Sequence, residues 1–296
     1  MNPSNYPGGI LIVGSDCPLG NALAARFTQA GHQVFGTTRR SGLANESISH
    51  LDLGQDLETW KCPPSVRVAI LCVGISKLEA CRKNPEDSFR VNVTGLTALA
   101  EKLAASGVFI IYPSTNHVFD GTIPWRKADE SYSPVTEYGR QKAEAERRIL
   151  GLGDAAAVIR TAKILAPGLP LFASWVEALK QGQVIQPFSD MSLAPIPLSC
   201  AVSIIQLVAD LRLEGVFQAS GECDISYEEA ARIGARILGV SQDLVQAVPA
   251  SKSGALSEPG PVHTTLSIER LISTLGVIPP GVTRTVETAF EGCVLR

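Results

Sequence analysis

The chain has 296 residues with a formal net charge of -3, and 45% of its residues are hydrophobic and 19% charged. This length corresponds to one large domain or two smaller ones, and the composition excludes a disordered chain. The mild acidity argues against a general nucleic-acid binder, which needs a basic face to neutralise phosphates.

The sequence also argues against membrane, secretory and metal-binding classes. No window comes near the roughly 20 consecutive apolar residues of a membrane helix. The N-terminus MNPSNYPGG lacks the basic and apolar regions of a secretory signal. The seven cysteines contain no C-x-x-C pair and the four histidines are scattered, so neither a metal site nor a disulfide framework is expected. We therefore expect a cytoplasmic protein without a bound metal.

The first half of the chain alternates between short apolar runs and amphipathic segments. Strands are predicted at residues 9–14, 33–38, 66–73, 107–112 and 155–160. Helices are predicted at residues 18–30, 92–105 and 138–150. Strands that alternate with helices need crossover connections, so we predict an α/β fold with a parallel sheet and helices on both faces.

After about residue 165 this alternation weakens and prolines interrupt the short elements. Two helices are predicted there, at residues 200–211 and 227–238, and residues 249–261 are predicted to form a loop rich in Ser, Gly and Pro. This half is predicted to form a smaller mixed α/β lobe built against the sheet.

The turn after the first strand is a candidate phosphate-binding loop. Gly14 allows a tight turn and Gly20 allows close packing of the helix, whose first N–H groups can bind a pyrophosphate. Cys17 stands where a G-x-x-G-x-x-G pattern has its middle glycine, either as a reactive thiol at a helix N-terminus or as a small side chain tolerated near phosphates. Gly14, Cys17, Leu19 and Gly20 are therefore candidate cofactor-binding residues, with an ordinary glycine turn as the alternative.

The end of the second predicted strand indicates which dinucleotide would bind. An acidic residue there would favour NAD, but the sequence has Arg39 and Arg40, which can bind a 2′-phosphate and so favour NADP. Two solvated surface arginines are the alternative. Asp52 can accept a hydrogen bond from the adenine amine or cap a helix, and the sequence leaves both open.

Tyr138 and Lys142 lie four residues apart, on one face of a predicted helix. A nearby ammonium lowers the pKa of a phenol and makes proton transfer feasible nearer neutral pH. The pair alone occurs by chance in many helices. Here a strand ending in Ser114, Thr115 and Asn116 precedes it, and ligands bind at the carboxyl ends of parallel strands. Hydroxyl, phenol and amine together indicate a carbonyl-reduction site.

Longer segments carry a resemblance to a known family. They are Gly14 to Gly20, Asp52 and Leu53, and residues 91–93, 114–121, 138–142, 158–161 and 187–195. On these segments the chain resembles the extended short-chain dehydrogenase/reductase superfamily over roughly residues 9–240. Within it, the chain is most similar to the dTDP-4-dehydrorhamnose reductase-like group, whose members bind sugar nucleotides and relate to the NAD-dependent epimerases and dehydratases.

The resemblance implies a doubly wound Rossmann domain at residues 1–165 that binds NADP, or else NAD. It also implies a substrate-binding lobe at residues 166–296, with packing of some C-terminal segments back on the first domain left open. The substrate would be a nucleotide-sugar, without nucleic-acid or membrane partners, and a homodimer stays open.

The resemblance also assigns roles by position. Thr115 would orient or polarise the substrate carbonyl, Tyr138 would donate or accept the proton, and Lys142 would hold the nicotinamide ribose. Asn92 would support the active-site helix. The remaining cofactor-binding candidates are Leu53, Val73, Gly74 and Asn92, together with Tyr138 and Lys142.

Three candidate substrate-binding residues depart from the group's pattern. Asn116 stands where the group has Asp, His117 where it has Tyr, and Lys163 where an aromatic residue is usual. His117 is either an extra acid/base or a polar wall residue. Lys163 either binds a substrate phosphate or carboxylate or extends into solvent.

These observations favour an NADP-preferring oxidoreductase that transfers hydride to or from a nucleotide-sugar-like substrate, with Tyr138 as acid/base. A nucleotide-sugar epimerase or dehydratase on the same scaffold is one alternative. Asn116 counts against a dehydratase, because an amide cannot shuttle protons. A non-catalytic NADP-binding regulatory subunit is the alternative from another class.

Overall fold

The structure is a computed structural model that describes residues 8–55, 57–253 and 260–294. Its strands are β1 (Gly9–Val13), β2 (Val34–Thr38), β3 (Ile48–His50), β4 (Val66–Leu71), β5 (Phe109–Thr115), β6 (Ala156–Thr161), β7 (Ile164–Leu165), β8 (Ser192–Leu193), β9 (Ile196–Pro197), β10 (Gly215–Ala219) and β11 (Ile225–Ser226). Its helices are α1 (Pro18–Gln29), α2 (Leu78–Lys83), α3 (Pro85–Phe89), α4 (Leu96–Ala105), α5 (Glu137–Leu150), α6 (Pro170–Lys180), α7 (Leu198–Leu211), α8 (Tyr227–Leu238), α9 (Ala250–Ser253), α10 (Glu269–Leu275) and α11 (Val282–Val294). Across these ranges, no helix combines the length and the apolarity needed to cross a membrane.

A seven-stranded parallel sheet forms the centre of the fold, in the order β10-β6-β5-β4-β1-β2-β3. The chain runs from β1 outward to β3 and then returns to β4 on the other side of β1. The strand order therefore reverses between β1 and β4, and such a switch point is where doubly wound folds bind ligands. The predicted α/β, Rossmann-like fold class is confirmed.

Burial of the sheet follows from its apolar strands. β1 is buried along its whole length, as expected for a strand covered on both faces. On one side, α1 packs against β1 and β2 through Leu23 and Phe27, two of the residues that its apolar spacing marks. α4 and α5 pack against β5.

The structure corrects several predicted elements. The predicted helix at residues 92–105 is a π-helical segment, Arg90–Gly95, followed by α4. β5 begins and ends later than predicted and includes Thr115. α6 and α11 were not predicted at all. In the predicted loop at residues 249–261, Ala250–Ser253 form α9, and residues 254–259 lie outside the described part of the chain.

The chain divides into two compact units, each with its own core. The first comprises the described residues up to Val118 together with Tyr132–Arg160 and Val202–Phe217. The second comprises Phe119–Ser131, Thr161–Ala201 and the described residues from Gln218 onward. The division predicted at residue 165 stays a prediction.

Stacked aromatic rings form the core of the second unit. The rings of Phe172 on α6 and Phe290 on α11 are parallel, with centroids 4.4 Å apart, and Trp175 stacks on Phe172 at 5.5 Å. Gly234 on α8 makes room for this stack, because a Cβ there would lie 2.5 Å from the Phe290 ring. The two helices that were not predicted therefore supply all three rings of this stack.

Candidate active site

The helix α5 presents Tyr138, Lys142 and Glu146 at four-residue spacing, so the three share one face. Thr136 caps the helix, since its hydroxyl accepts a hydrogen bond from the Gly139 N–H at 3.0 Å. Only glycine fits at position 139, because a Cβ there would lie 2.2 Å from the carbonyl oxygen of His117. The helix start is therefore fixed against the chain that follows β5.

Lys142 is almost fully buried at the carboxyl end of β5. Its Nζ donates a hydrogen bond to the Pro113 carbonyl at 2.9 Å and lies 4.0 Å from the centre of the Tyr112 ring. Burial lowers the pKa of Lys142 to about 8, while the Glu146 carboxylate acts in the opposite direction. The ammonium is thus held in one place by a carbonyl and an aromatic face.

The hydroxyl of Tyr138 has a different electrostatic environment from the one predicted. The sequence predicts that Lys142 lowers the phenol pKa, but burial raises the Tyr138 pKa above its ordinary value, and Cys81 adds to the rise. Lys142 does not lower the Tyr138 pKa as predicted, because its ammonium donates a hydrogen bond to the Pro113 carbonyl instead. The Tyr138 ring packs against His117, with centroids 5.9 Å apart and planes at 70°.

Thr115 ends β5 and is tied to the two residues that follow it. Its Oγ1 accepts a hydrogen bond from the His117 N–H at 3.2 Å and lies 3.4 Å from Oδ1 of Asn116, to which it donates. Since His117 also contacts the Tyr138 ring, the structure brings the predicted catalytic residues Thr115 and Tyr138 to one place, with Asn116 and His117 beside them.

A buried ion pair beneath this cluster was not predicted. Glu146 accepts two hydrogen bonds from Arg160, from Nε at 2.9 Å and Nη2 at 2.8 Å, and a third from the Ser114 hydroxyl. Glu146 and Arg160 are 0% and 2% exposed, so both charges have left water and depend on each other. The four-residue spacing from Lys142 is a sequence signal that places Glu146 on the same helix face, but it does not indicate Arg160 as the partner.

Asn92 connects three segments around the same helix. Its Oδ1 accepts from the Ile75 N–H at 2.7 Å, while its Nδ2 donates to the Ile75 carbonyl and to Oε1 of Gln141, both at 2.9 Å. Gln141 in turn donates to the Ser88 hydroxyl at 2.8 Å. Gln141 lies between Tyr138 and Lys142 in sequence and was not predicted as a site residue.

The turn between β1 and α1 has the close backbone contacts that glycines permit. Gly14 has a φ of +79°, and a Cβ there would lie 2.8 Å from the Cys72 carbonyl oxygen. A Cβ at Gly20 would lie 2.4 Å from the Gly14 carbonyl oxygen. Cys17 caps α1, accepting from the Gly20 N–H at 3.2 Å and donating to the Cys72 carbonyl at 3.3 Å. Leu19 is partly exposed in the first turn of α1.

The two arginines predicted to bind a 2′-phosphate differ in their partners. Arg40 is bound to the Asp16 carboxylate, from Nε at 2.8 Å and Nη2 at 2.6 Å. Asp16 is held in turn by the Thr38 hydroxyl at 2.8 Å. Arg39 has an exposed side chain. Binding of a phosphate by Arg40 would therefore compete with Asp16.

The remaining cofactor candidates line the neighbouring strand ends. Oδ1 of Asp52 accepts from the Gly54 N–H at 2.9 Å, so its carboxylate caps a turn, and Leu53 is buried. Val73 and Gly74 follow β4, and Val73 is partly exposed while Gly74 is exposed. A Cβ at Gly74 would lie 3.0 Å from Oδ1 of Asn92. Asp52 and Leu53 therefore follow β3, whereas Val73 and Gly74 follow β4, which borders the switch point.

Lys163 belongs to the second unit, where its side chain is exposed and its carbonyl accepts from the Ile196 N–H at 2.9 Å. The structure thus brings together the candidates Thr115, Asn116, His117, Tyr138 and Lys142 within the first unit. The role of Lys163 stays a prediction.

Comparison with known proteins places the chain in a family. The family model described as RmlD substrate binding domain matches residues 8–293. The chain belongs to this family. The resemblance predicted from the sequence is thereby confirmed.

Relatives of this RmlD-family chain carry two kinds of name. The chain is 26% identical over 244 residues to the methionine adenosyltransferase 2 subunit beta of Rattus norvegicus, and the match covers 76% of this chain and 70% of that protein. It is 25% identical over 266 residues to the dTDP-4-dehydrorhamnose reductase of Mycobacterium tuberculosis, covering 84% of each. A crystal structure of dTDP-4-dehydrorhamnose reductase from Bacillus anthracis in complex with NADP superposes with a TM-score of 0.83 at 17% identity, covering 97% of this chain and 99% of that one.

Proposed function

We propose that the chain is an NADP-dependent reductase that acts on the carbonyl of a nucleotide-sugar-like substrate. The observation that carries this proposal is the cluster of Thr115, His117 and Tyr138 around the start of α5, with Lys142 fixed at the carboxyl end of β5. The relatives named dTDP-4-dehydrorhamnose reductase support the reaction class. The NADP complex named for the Bacillus anthracis structure supports the cofactor.

The residues at the switch point suit a dinucleotide. The turn at Gly14 and Gly20 leaves no room for side chains, and this is the close backbone approach that a pyrophosphate needs. The first turn of α1 carries no acidic residue that would repel phosphate. Arg39 directly follows β2 with an exposed side chain and suits a 2′-phosphate. NADP is therefore favoured over NAD.

Tyr138 is the proposed proton donor. Because burial raises its pKa, the phenol stays protonated at neutral pH, which is the form that carbonyl reduction requires. Thr115 would donate a hydrogen bond to the same carbonyl oxygen in place of its long bond to Asn116. The bound nicotinamide would supply the hydride. Lys142 would hold the cofactor ribose through its fixed ammonium.

The test is consumption of NADPH, followed by its absorbance, over a panel of 4-keto sugar nucleotides. Tyr138→Phe should lower the rate by about 100-fold to 10,000-fold, the range typical of losing a general acid, while NADPH affinity changes little. Tyr227→Phe is the matched control, because Tyr227 lies in the second unit on α8 and its ring contact to Trp175 survives the change. A wild-type rate for Tyr138→Phe would contradict the proposed role.

A cofactor-binding subunit without turnover is the second candidate. It is favoured by Cys17, which occupies the middle position of the turn, and by relatives whose name describes a subunit of a methionine adenosyltransferase. This candidate predicts tight NADPH binding without consumption on every sugar nucleotide of the panel. An epimerase would convert its substrate without net consumption of NADPH, which chromatography of the products distinguishes.

A further inference from the structure

Two cysteines meet at the switch point of the sheet, one from each of the strands that border it. Cys17 lies in the turn after β1 and Cys72 directly follows β4, and both are partly exposed. The Cys17 Sγ lies 3.3 Å from the Cys72 carbonyl oxygen, to which the thiol donates a hydrogen bond, and the two side chains are close enough to shift each other's pKa. The proximity of the two side chains comes from the parallel pairing of β1 with β4.

The environment of Cys17 favours the reactive thiolate. The neighbouring Cys72 side chain and the Gly20 N–H lower the pKa of Cys17 to about 7 from an ordinary value of 9.0, although burial acts in the opposite direction. A pKa near 7 gives Cys17 a larger thiolate fraction at neutral pH than an ordinary thiol has. Cys72 has the opposite character, since the neighbouring Cys17 side chain and the desolvation of its own thiol raise its pKa.

A thiolate next to a protonated thiol is the arrangement of an attacking and a resolving cysteine. We propose that Cys17 and Cys72 form a peroxide-sensitive thiol pair whose disulfide closes the turn between β1 and α1. The Cys17 thiolate attacks hydrogen peroxide, takes one oxygen to become a sulfenic acid, and releases hydroxide. The Cys72 sulfur then attacks the Cys17 sulfur, the S–O bond breaks, and the hydroxyl leaves as water with the Cys72 proton. Peroxide is thus reduced by two electrons while the two thiols are oxidised.

The disulfide would change the turn that faces the proposed cofactor. The Cys17 sulfur now caps the Gly20 N–H, and a bond to Cys72 would remove it from this position. The neighbouring backbone has no room to move closer, because Gly14 already lies against the Cys72 carbonyl. We expect the oxidised protein to bind NADP at least about tenfold more weakly and to recover on reduction. This consequence rests on the proposed function, whereas disulfide formation does not.

The experiment treats the full-length protein with hydrogen peroxide, blocks the remaining thiols by alkylation and maps the cysteine peptides by mass spectrometry. We expect a disulfide between the peptides of Cys17 and Cys72, the loss of two thiols per chain, and reversal by dithiothreitol. Cys72→Ser should stop at a sulfenic acid on Cys17 that dimedone traps. Cys62→Ser is the matched control and should still form the disulfide, because Cys62 bonds locally to the Pro63 carbonyl.

Two results separate this proposal from the proposed function. If the exposed Cys223 is oxidised while Cys17 and Cys72 stay reduced, the thiol pair is refuted whatever the enzyme does. Saturating NADP should slow disulfide formation at least about tenfold by covering the turn. A disulfide that forms equally fast with and without NADP would overturn its coupling to the cofactor and leave the thiol chemistry standing.

Discussion

The acid–base cluster on α5 and the turn after β1 both lie at the carboxyl ends of parallel strands, yet they satisfy their polar groups differently. Around Lys142, the ammonium, the Glu146 carboxylate and the Arg160 guanidinium are buried and have partners within the chain. At the turn, the groups expected to meet phosphate have partners of their own, since Cys17 caps Gly20 and Arg40 is bound to Asp16. The first region is organised before any ligand binds, whereas the second must exchange partners to bind one.

The largest expected effect comes from a substitution in the buried acid–base cluster on α5. Glu146→Gln removes the carboxylate that is bonded to the buried Arg160 and that raises the pKa of the buried Lys142. We expect the free energy of unfolding, measured by urea denaturation, to fall by about 3–5 kcal/mol. Glu144→Gln is the matched control on the same helix, because its ion pairs with Arg147 and Arg148 are at the surface.

The control should lose no more than about 1 kcal/mol, as surface ion pairs do. A loss for Glu146→Gln that equals the loss for Glu144→Gln would mean that the buried pair contributes no more than a surface pair. The buried partners of the acid–base cluster would then not stabilise the folded chain more than surface partners do.

The pH dependence of stability sharpens the same comparison. The pKa of Lys142 is lowered from 10.5 to about 8 in the folded chain, so the unfolded chain binds more protons between these values. Stability should therefore rise as the pH rises from about 8 to 10.5, by up to about 3 kcal/mol from this group. Below pH 8 the group contributes no slope.

The measurement is urea unfolding of the wild type and of Lys142→Met at several pH values in this range. The difference between the two proteins should change with pH, because other titrating groups are shared and cancel. Lys180→Met is the matched control, since this lysine is exposed at the end of α6 and should show no such difference. Parallel curves for the wild type and Lys142→Met would show that burial does not shift the ammonium.

The elements of the first unit could be predicted because their patterns are local. An apolar run such as β1 and the helical spacing of Leu23 and Phe27 report burial directly. The rule that parallel strands end at one edge of the sheet then led to Thr115 and Tyr138. The π-helical segment at Arg90–Gly95 has no such pattern, since apolar spacing does not distinguish it from an α-helix.

Other features could not be predicted, because they depend on tertiary contacts. Pro170 is one of the prolines that are expected from the sequence to interrupt short elements, but it occupies the first turn of α6, where a missing N–H costs nothing. The bond between Glu146 and Arg160 joins α5 to β6, and the bond between Asp16 and Arg40 joins the ends of β1 and β2. Neither pairing follows from sequence spacing.

The smallest expected effect concerns the turn after β1 and the arginines that follow β2. Arg39→Ala should weaken NADPH binding about tenfold, because it removes one charge-assisted contact of roughly 1.4 kcal/mol. It should leave NADH binding nearly unchanged. Arg40→Ala should weaken NADPH less, because Arg40 must first leave Asp16 to reach a phosphate. Titration of both nucleotides against both variants measures the four affinities. Equal losses of NADPH and NADH affinity for Arg39→Ala would exclude a 2′-phosphate contact. A larger loss of NADPH affinity for Arg40→Ala than for Arg39→Ala would mean that the bond to Asp16 orients the Arg40 guanidinium for the phosphate and does not compete with it.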